Sequence, residues 1–240
     1  MSANSDRRHV LALTTAALGA SIILPGIGRA PAAEEKEKEQ EVEAAEDLMR
    51  EHGVLRRALL VYAEAASRLA RGRADVPAAA LGQAAILFRT FGEDYHERSL
   101  EEKHIFPVLT KLGGESAALA STLKQQHDRG REITDYLSAL LRRGRIGAAD
   151  GAPLASALTS FVRMYEHHAA IEDTVVFPVW KAAVGEAELE SLAAKFEEIE
   201  SEHFGGDGFD TALKRMEEIE TSLGLSNLEM FTAPEPPAAQ

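Results

Sequence analysis

His168 and Glu172 stand four residues apart, a spacing that sets an imidazole and a carboxylate about 40° apart on one face of an α-helix. Helical bundles hold pairs of metal ions with such residues on facing helices, the imidazoles at outer positions and the carboxylates bridging. His96 offers a second pair. Leu100 occupies its i+4 position, so the preferred partner is Glu101 at i+5, about 140° away on an ideal helix, with Glu97 the alternative. A π-bulge would bring His96 and Glu101 together, and such bulges are frequent at functional sites. Glu101 is preferred because it and Glu172 both stand six residues before a proline, Pro107 and Pro178. His52 and His127 each add an imidazole. His167 points about 100° away from His168 and would join only on a locally distorted helix. The chain has eight histidines and no cysteine, which excludes thiolate zinc, iron–sulfur and cysteine-nucleophile chemistry. An all-N/O ligand set suits iron or manganese and, less decisively, zinc.

Helices must position these groups. Beyond residue 44 the chain is built of Ala, Leu, Glu, Arg and Lys, with apolar residues three and four apart and no β-branched alternating runs. The pattern predicts helices over about 42–72, 77–111, 115–143 and 151–183, with shorter ones near 186–203 and 208–223. Gly72 and Pro77, Gly113 and Gly114, Gly144 and Gly147, and Gly151 and Pro153 punctuate the breaks. Long helices joined by short turns imply antiparallel neighbours. The expected fold is all-α, an up-down-up-down four-helix bundle with one or two shorter appended C-terminal helices. At 1.5 Å per residue, His52 and His96 fall roughly 30 Å from one end of the bundle and His127 and His168 roughly 25 Å. One histidine per long helix therefore reaches a common level. A weak internal repeat, Phe91…Tyr95…Phe106-Pro107 and Phe161…Tyr165…Phe177-Pro178, relates the second and fourth helices.

The 240 residues carry a formal net charge of −13, which argues against a general nucleic-acid binder, since that needs a basic face toward the phosphates. Arg7-Arg8 precede an apolar run from Val10 to Ile27, followed by small residues at Ala30-Pro31-Ala32. Residues 1–32 thus read as a secretory signal resembling the twin-arginine type, with an uncleaved membrane anchor as the alternative. The expected location is the periplasm, with no stable transmembrane span after cleavage. Residues 33–43 read as a charged linker, 44–183 as the bundle, 184–225 as appended helices and 226–240 as a flexible tail.

Four ordered groups of residues carry a family likeness: Glu51-His52 with Leu55; Tyr95-His96 with Glu101, Glu102, Phe106 and Pro107; Gln126-His127; and Tyr165 to His168 with Glu172, Asp173, Phe177 and Pro178. The set resembles the hemerythrin-like, or HHE cation-binding, family. That resemblance implies a four-helix bundle around two non-haem iron ions, bridged by two carboxylates and an oxo or hydroxo group. It assigns His52, His96 with Glu101, His127, and His168 with Glu172 as ligands, and a diatomic molecule (O2 or nitric oxide) or peroxide as the reacting partner. One departure is the i+5 spacing at His96. The other is Arg131, four residues after His127, where oxygen-carrying members place a further histidine. A four-histidine site leaves more open positions on iron and favours reaction over simple reversible oxygen binding. The enzyme alternative is a di-iron peroxidase, oxidase or nitric oxide scavenger. A metal-storage, sensing or partner-binding module is the other.

The remaining residues take plainer readings. His104 is expected on the bundle surface, and His203 near a helix C-terminus, where a cation is favoured. Glu102, Glu166 and Asp173 are expected beside the ligands or in solvent. Tyr95 and Tyr165 read as core packing near the site, with a redox or proton-relay role as the alternative. Phe88, Phe91, Phe161, Leu123 and Ile171 read as core that keeps the centre dry.

Overall fold

Between the glycine breaks the chain is rich in alanine, leucine and glutamate, which lose little side-chain freedom in a helix. The computed structural model, which describes residues 43–72 and 76–237, shows helices joined by turns and no strand among the described residues. The first long helix is α1 (Ala44–Ala70). The second long run is α2 (Ala78–Leu87), a π-helical segment (Phe88–Ile105) and α3 (Phe106–Leu112). The third is α4 (Gly114–Leu141), and the fourth is α5 (Gly151–Ile171), a π-helical turn (Glu172–Val176) and α6 (Phe177–Val184). After these come α7 (Glu186–Phe204), α8 (Gly208–Leu223) and a short 3-10 turn (Leu228–Phe231). The secretory-signal reading of residues 1–32 falls outside the described residues. Among those described, no helix is long and apolar enough to cross a membrane.

Each π-helical stretch ends two residues before a proline. The N–H of Phe106 donates to the Glu101 carbonyl and that of Phe177 to the Glu172 carbonyl, both five residues back. Pro107 and Pro178 follow at once, and a proline inside a helix removes a donor and crowds the preceding turn. A wider turn just before each proline relieves that crowding. Gly113 (φ 78°) and Gly114 (φ 55°) then turn the chain from α3 into α4, in a region of backbone space that glycine enters without steric cost.

α1 packs along α5, α2 and α3 pack on α4, and α4 packs on α5. Rings fill one side of the resulting core: Phe88 and Phe161 meet edge to face at 4.8 Å, and Tyr62 meets Phe161 at 5.4 Å. Phe91 and Leu123 are buried as expected, but Ile171 is 39% exposed, so it does not help to dry the interior. α7 lies against α1, α6 and the long π-helical segment, and α8 lies against α1 and α2. Ala212, Met216, Ile219 and Leu223 form the buried face of α8. An Arg57–Glu220 fork, with nitrogen–oxygen distances of 2.8 and 2.6 Å, ties α8 to α1.

Candidate metal centre

One imidazole from each long run points into the core at one level, and each presents Nε2 to the interior. His52 and His96 face each other with Nε2 atoms 3.0 Å apart, and so do His127 and His168. Glu101 lies between the two pairs, with Oε1 3.3 Å from His96 and Oε2 3.3 Å from His127. Glu172 also spans both, with Oε2 3.0 Å from His168 and 3.5 Å from His52. The wide turn between His96 and Glu101 puts them on one face despite their i+5 spacing, because i→i+5 bonding covers Phe88–Ile105. On the fourth run the π-helical turn begins only at Glu172, so the regular i,i+4 pair there is His168 and Glu172.

The outward nitrogens form a closed circuit around the bundle. Nδ1 of His96 is held by Glu51 of α1 (2.7 Å), and Nδ1 of His127 by Glu102 of the second run (3.0 Å). Nδ1 of His168 is held by Gln126 of α4 (2.8 Å), and Nδ1 of His52 by Asp173 of the fourth run (2.7 Å). In each case a residue adjacent in sequence to one site residue orients the imidazole of the next helix. A neighbouring residue points about 100° round the helix, which is where the next helix lies. An ionised carboxylate is an acceptor only, so at His52, His96 and His127 Nδ1 donates to its partner and Nε2 is the atom left facing the interior.

This interior suits cations. Both oxygens of Glu101 and both of Glu172 are buried without a hydrogen-bond partner. Burial and then the neighbouring Glu101 charge push the Glu172 carboxyl well above its ordinary range. Two anions side by side in a low-dielectric core require positive charge between them. Burial, with His127 beside it, drives His168 down to about 3. Burial also opposes charging His127, but Glu97, Glu101 and Glu102 outweigh it and raise that imidazole to about 10. Two sets of ligand atoms cluster closely enough for an ion, Glu101–His127–His168–Glu172 and His52–His96–Glu101. A third set, Glu97–Glu102–His127, includes Glu97 and Glu102, which are both held by Arg131.

The less favoured sequence candidates lie elsewhere. His167 is exposed. Glu97 faces away from the Nε2 atoms, accepting from the Tyr165 hydroxyl (2.7 Å) and from Arg131 (3.0 Å). Gly130 makes room for that tyrosine, since a Cβ there would sit 2.0 Å from its hydroxyl oxygen. His104 is half-buried rather than at the surface, because Phe196 of α7 covers it at 5.5 Å. The rings of Phe106 and Phe177 lie nearly parallel to His127 and His52, at 5.2 and 5.5 Å. The partner roles of Glu51 and Gln126 were not among the expectations, although each stands beside an expected ligand, His52 and His127.

Over residues 43–180, and again over 118–223, the chain matches the Hemerythrin HHE cation binding domain, and it belongs to that family. Relatives from Mycobacterium bovis and Mycobacterium tuberculosis, each described as uncharacterized, are 39% identical over 235 residues. Those alignments take in 94% of this chain and 90% of each relative. No solved structure matches it.

Proposed function

We propose that this chain is a non-haem di-iron protein of the hemerythrin-like type that binds O2 or reacts with O2-derived or nitrogen oxide species in the cell envelope. The observation that carries this reading is the pair of buried glutamates, Glu101 and Glu172, each lying between two inward-facing imidazoles with both oxygens unpaired. In this reading the four long runs alternate up-down-up-down. His52, His96 and Glu101 would hold one ion, and Glu101, His127, His168 and Glu172 the other. Iron is favoured over manganese and zinc because the ligands are imidazole and carboxylate and the family reading is di-iron. When bound, two ferrous ions would supply electrons and open coordination positions for a diatomic ligand or peroxide.

The chain's own residues set the conditions for that chemistry. Glu51, Glu102, Gln126 and Asp173 fix the tautomer and tilt of the imidazoles. Phe106 and Phe177 cover two of those rings, while Phe88 and Phe161 close the core behind Tyr165 and His168. Arg131 favours reaction over reversible carriage, because it stands where a fifth imidazole would and instead binds Glu97 and Glu102. The twin-arginine-like leader motivates export, with the periplasm as the destination.

Metal analysis with optical spectra of the reduced protein, before and after air, tests the reading. Two irons per chain and a new visible band on exposure are expected. His168→Ala and Glu172→Ala should each lose at least one ion, while His104→Ala keeps both. One zinc, or equal metal in all three variants, would overturn it.

A further inference from the structure

Tyr95 is fully buried one residue before His96, yet its hydroxyl is committed to the site from the far side. It donates to Glu51 Oε1 at 2.8 Å, and the other oxygen of Glu51 holds His96 Nδ1 at 2.7 Å. Phenol, carboxylate and imidazole therefore form one continuous hydrogen-bonded line. In the other direction the Tyr95 ring lies 5.2 Å from Phe204 and 6.0 Å from His203, both on α7. His203 is exposed, so a single aromatic step separates Tyr95 from solvent. Tyr165 is placed differently. Phe88 and Phe161 wall its ring at 5.0 and 4.6 Å, and its acceptor Glu97 is already held by Arg131. The line from surface to site thus runs through Tyr95.

We propose that Tyr95 is a redox relay residue that passes electrons, one at a time, from an external donor at the His203 face of α7 to the metal pair, with Glu51 as its proton partner. This rests on the di-iron reading above and gives it a direction, reduction of hydrogen peroxide. In each event the Tyr95 O–H bond breaks, the proton moves to Glu51 Oε1 and the electron leaves toward the metals. A one-electron reductant of the enediol or phenol class then returns an electron to the phenoxyl, and the proton comes back from Glu51. The tyrosine and the glutamate end unchanged. Two events supply two electrons which, with two protons from solvent, convert one hydrogen peroxide into two waters, while two donor molecules are each oxidised by one electron.

Full-length, iron-loaded protein is mixed with hydrogen peroxide, freeze-quenched and read by electron paramagnetic resonance, with the iron content of every sample measured first. A tyrosyl radical is expected in the parent chain and in Tyr62→Phe, a buried tyrosine whose hydroxyl has no hydrogen-bond partner. Tyr95→Phe, which removes one oxygen atom and keeps the ring, should abolish the signal at unchanged iron content. Ascorbate, an enediol, should quench the radical in the parent chain. Two irons without a radical, or a radical that survives Tyr95→Phe and disappears in Tyr165→Phe, would overturn the relay and leave the di-iron reading standing. Failure to take up iron would overturn both.

Discussion

At the scale of single residues, four helices orient one another's imidazoles. Three of the holding groups are carboxylates, Glu51, Glu102 and Asp173, and the fourth is the amide of Gln126. Losing the outer hydrogen bond of a ligating histidine commonly costs roughly 10–100-fold in metal affinity. Gln126→Ala should therefore weaken the His168 ion by about that factor and leave the ion at His52 and His96 nearly intact, a split visible in a chelator titration. Uniform loss at both positions would mean that Gln126 supports the helix rather than the imidazole. Glu93, deeper in the core, makes a prediction about pH. Burial raises its carboxyl from 4.5 to about 7, and Glu97 adds to the rise, against the Thr134 hydroxyl, Arg89 and Arg131. The folded state thus holds this proton more tightly than the unfolded chain. The stability this gives is full below about 4.5 and is lost as pH climbs through about 7. The span corresponds to about 3 kcal/mol. Urea unfolding of Glu93→Gln should show that slope flattened between pH 5 and 7, and parallel curves for variant and parent would refute it.

At the scale of elements, the same cassette is wound in two ways. His96 and His167 both stand five residues before the glutamate that precedes a Phe-Pro pair, yet His96 joins the site and His167 faces solvent. The difference lies in where the wide turn starts. In the second run it covers the whole step from His96 to Glu101, and in the fourth it begins at Glu172. If the wide turn accommodates one surplus residue, deleting Ser99 should turn this stretch into ordinary α-helix with a His-x-x-x-Glu pair, and metal content should persist. Deleting Asp128, beside His127 in the α-helical α4, has no such slack to remove and should abolish binding at that position. If the two deletions lose metal alike, the slack is not there. This separates what could be read from the sequence from what could not. Helix positions and the common level of the imidazoles follow from periodicity and rise per residue, which are local. The odd spacing at His96 already pointed to a bulge. The cross-helix roles of Glu51 and Gln126, and the cover that Phe196 places over His104, depend on which helix lies beside which, and no spacing within one helix encodes that.

At the scale of the whole molecule, every group among the described residues that converges on the candidate centre comes from the four long runs, and α7 and α8 lie outside them. The second family match nevertheless begins inside α4 and extends through α8, so this hairpin shares the family's pattern without supplying an imidazole to the centre. Its attachment is largely apolar. Met216 and Ile219 are 0% and 1% exposed where α8 meets α1 and α2, and Phe196 lies beneath α7 beside Trp180. Truncating a buried methionine to alanine typically costs about 2–5 kcal/mol. Met216→Ala should spend that loss on the docking of α8, because Met216 is on the buried face of α8, which packs on α1 and α2 and supplies no group to the candidate centre. Amide hydrogen exchange should accelerate first in Thr211–Leu223 and in the facing turns of α2, while metal content stays at the parent value. Loss of metal together with faster exchange at Glu101 and Glu172 would show instead that hairpin and centre open as one cooperative unit. Separate opening would fit a hairpin whose task is to cover Tyr95 and present His203, since a cover can loosen without unseating the groups beneath it.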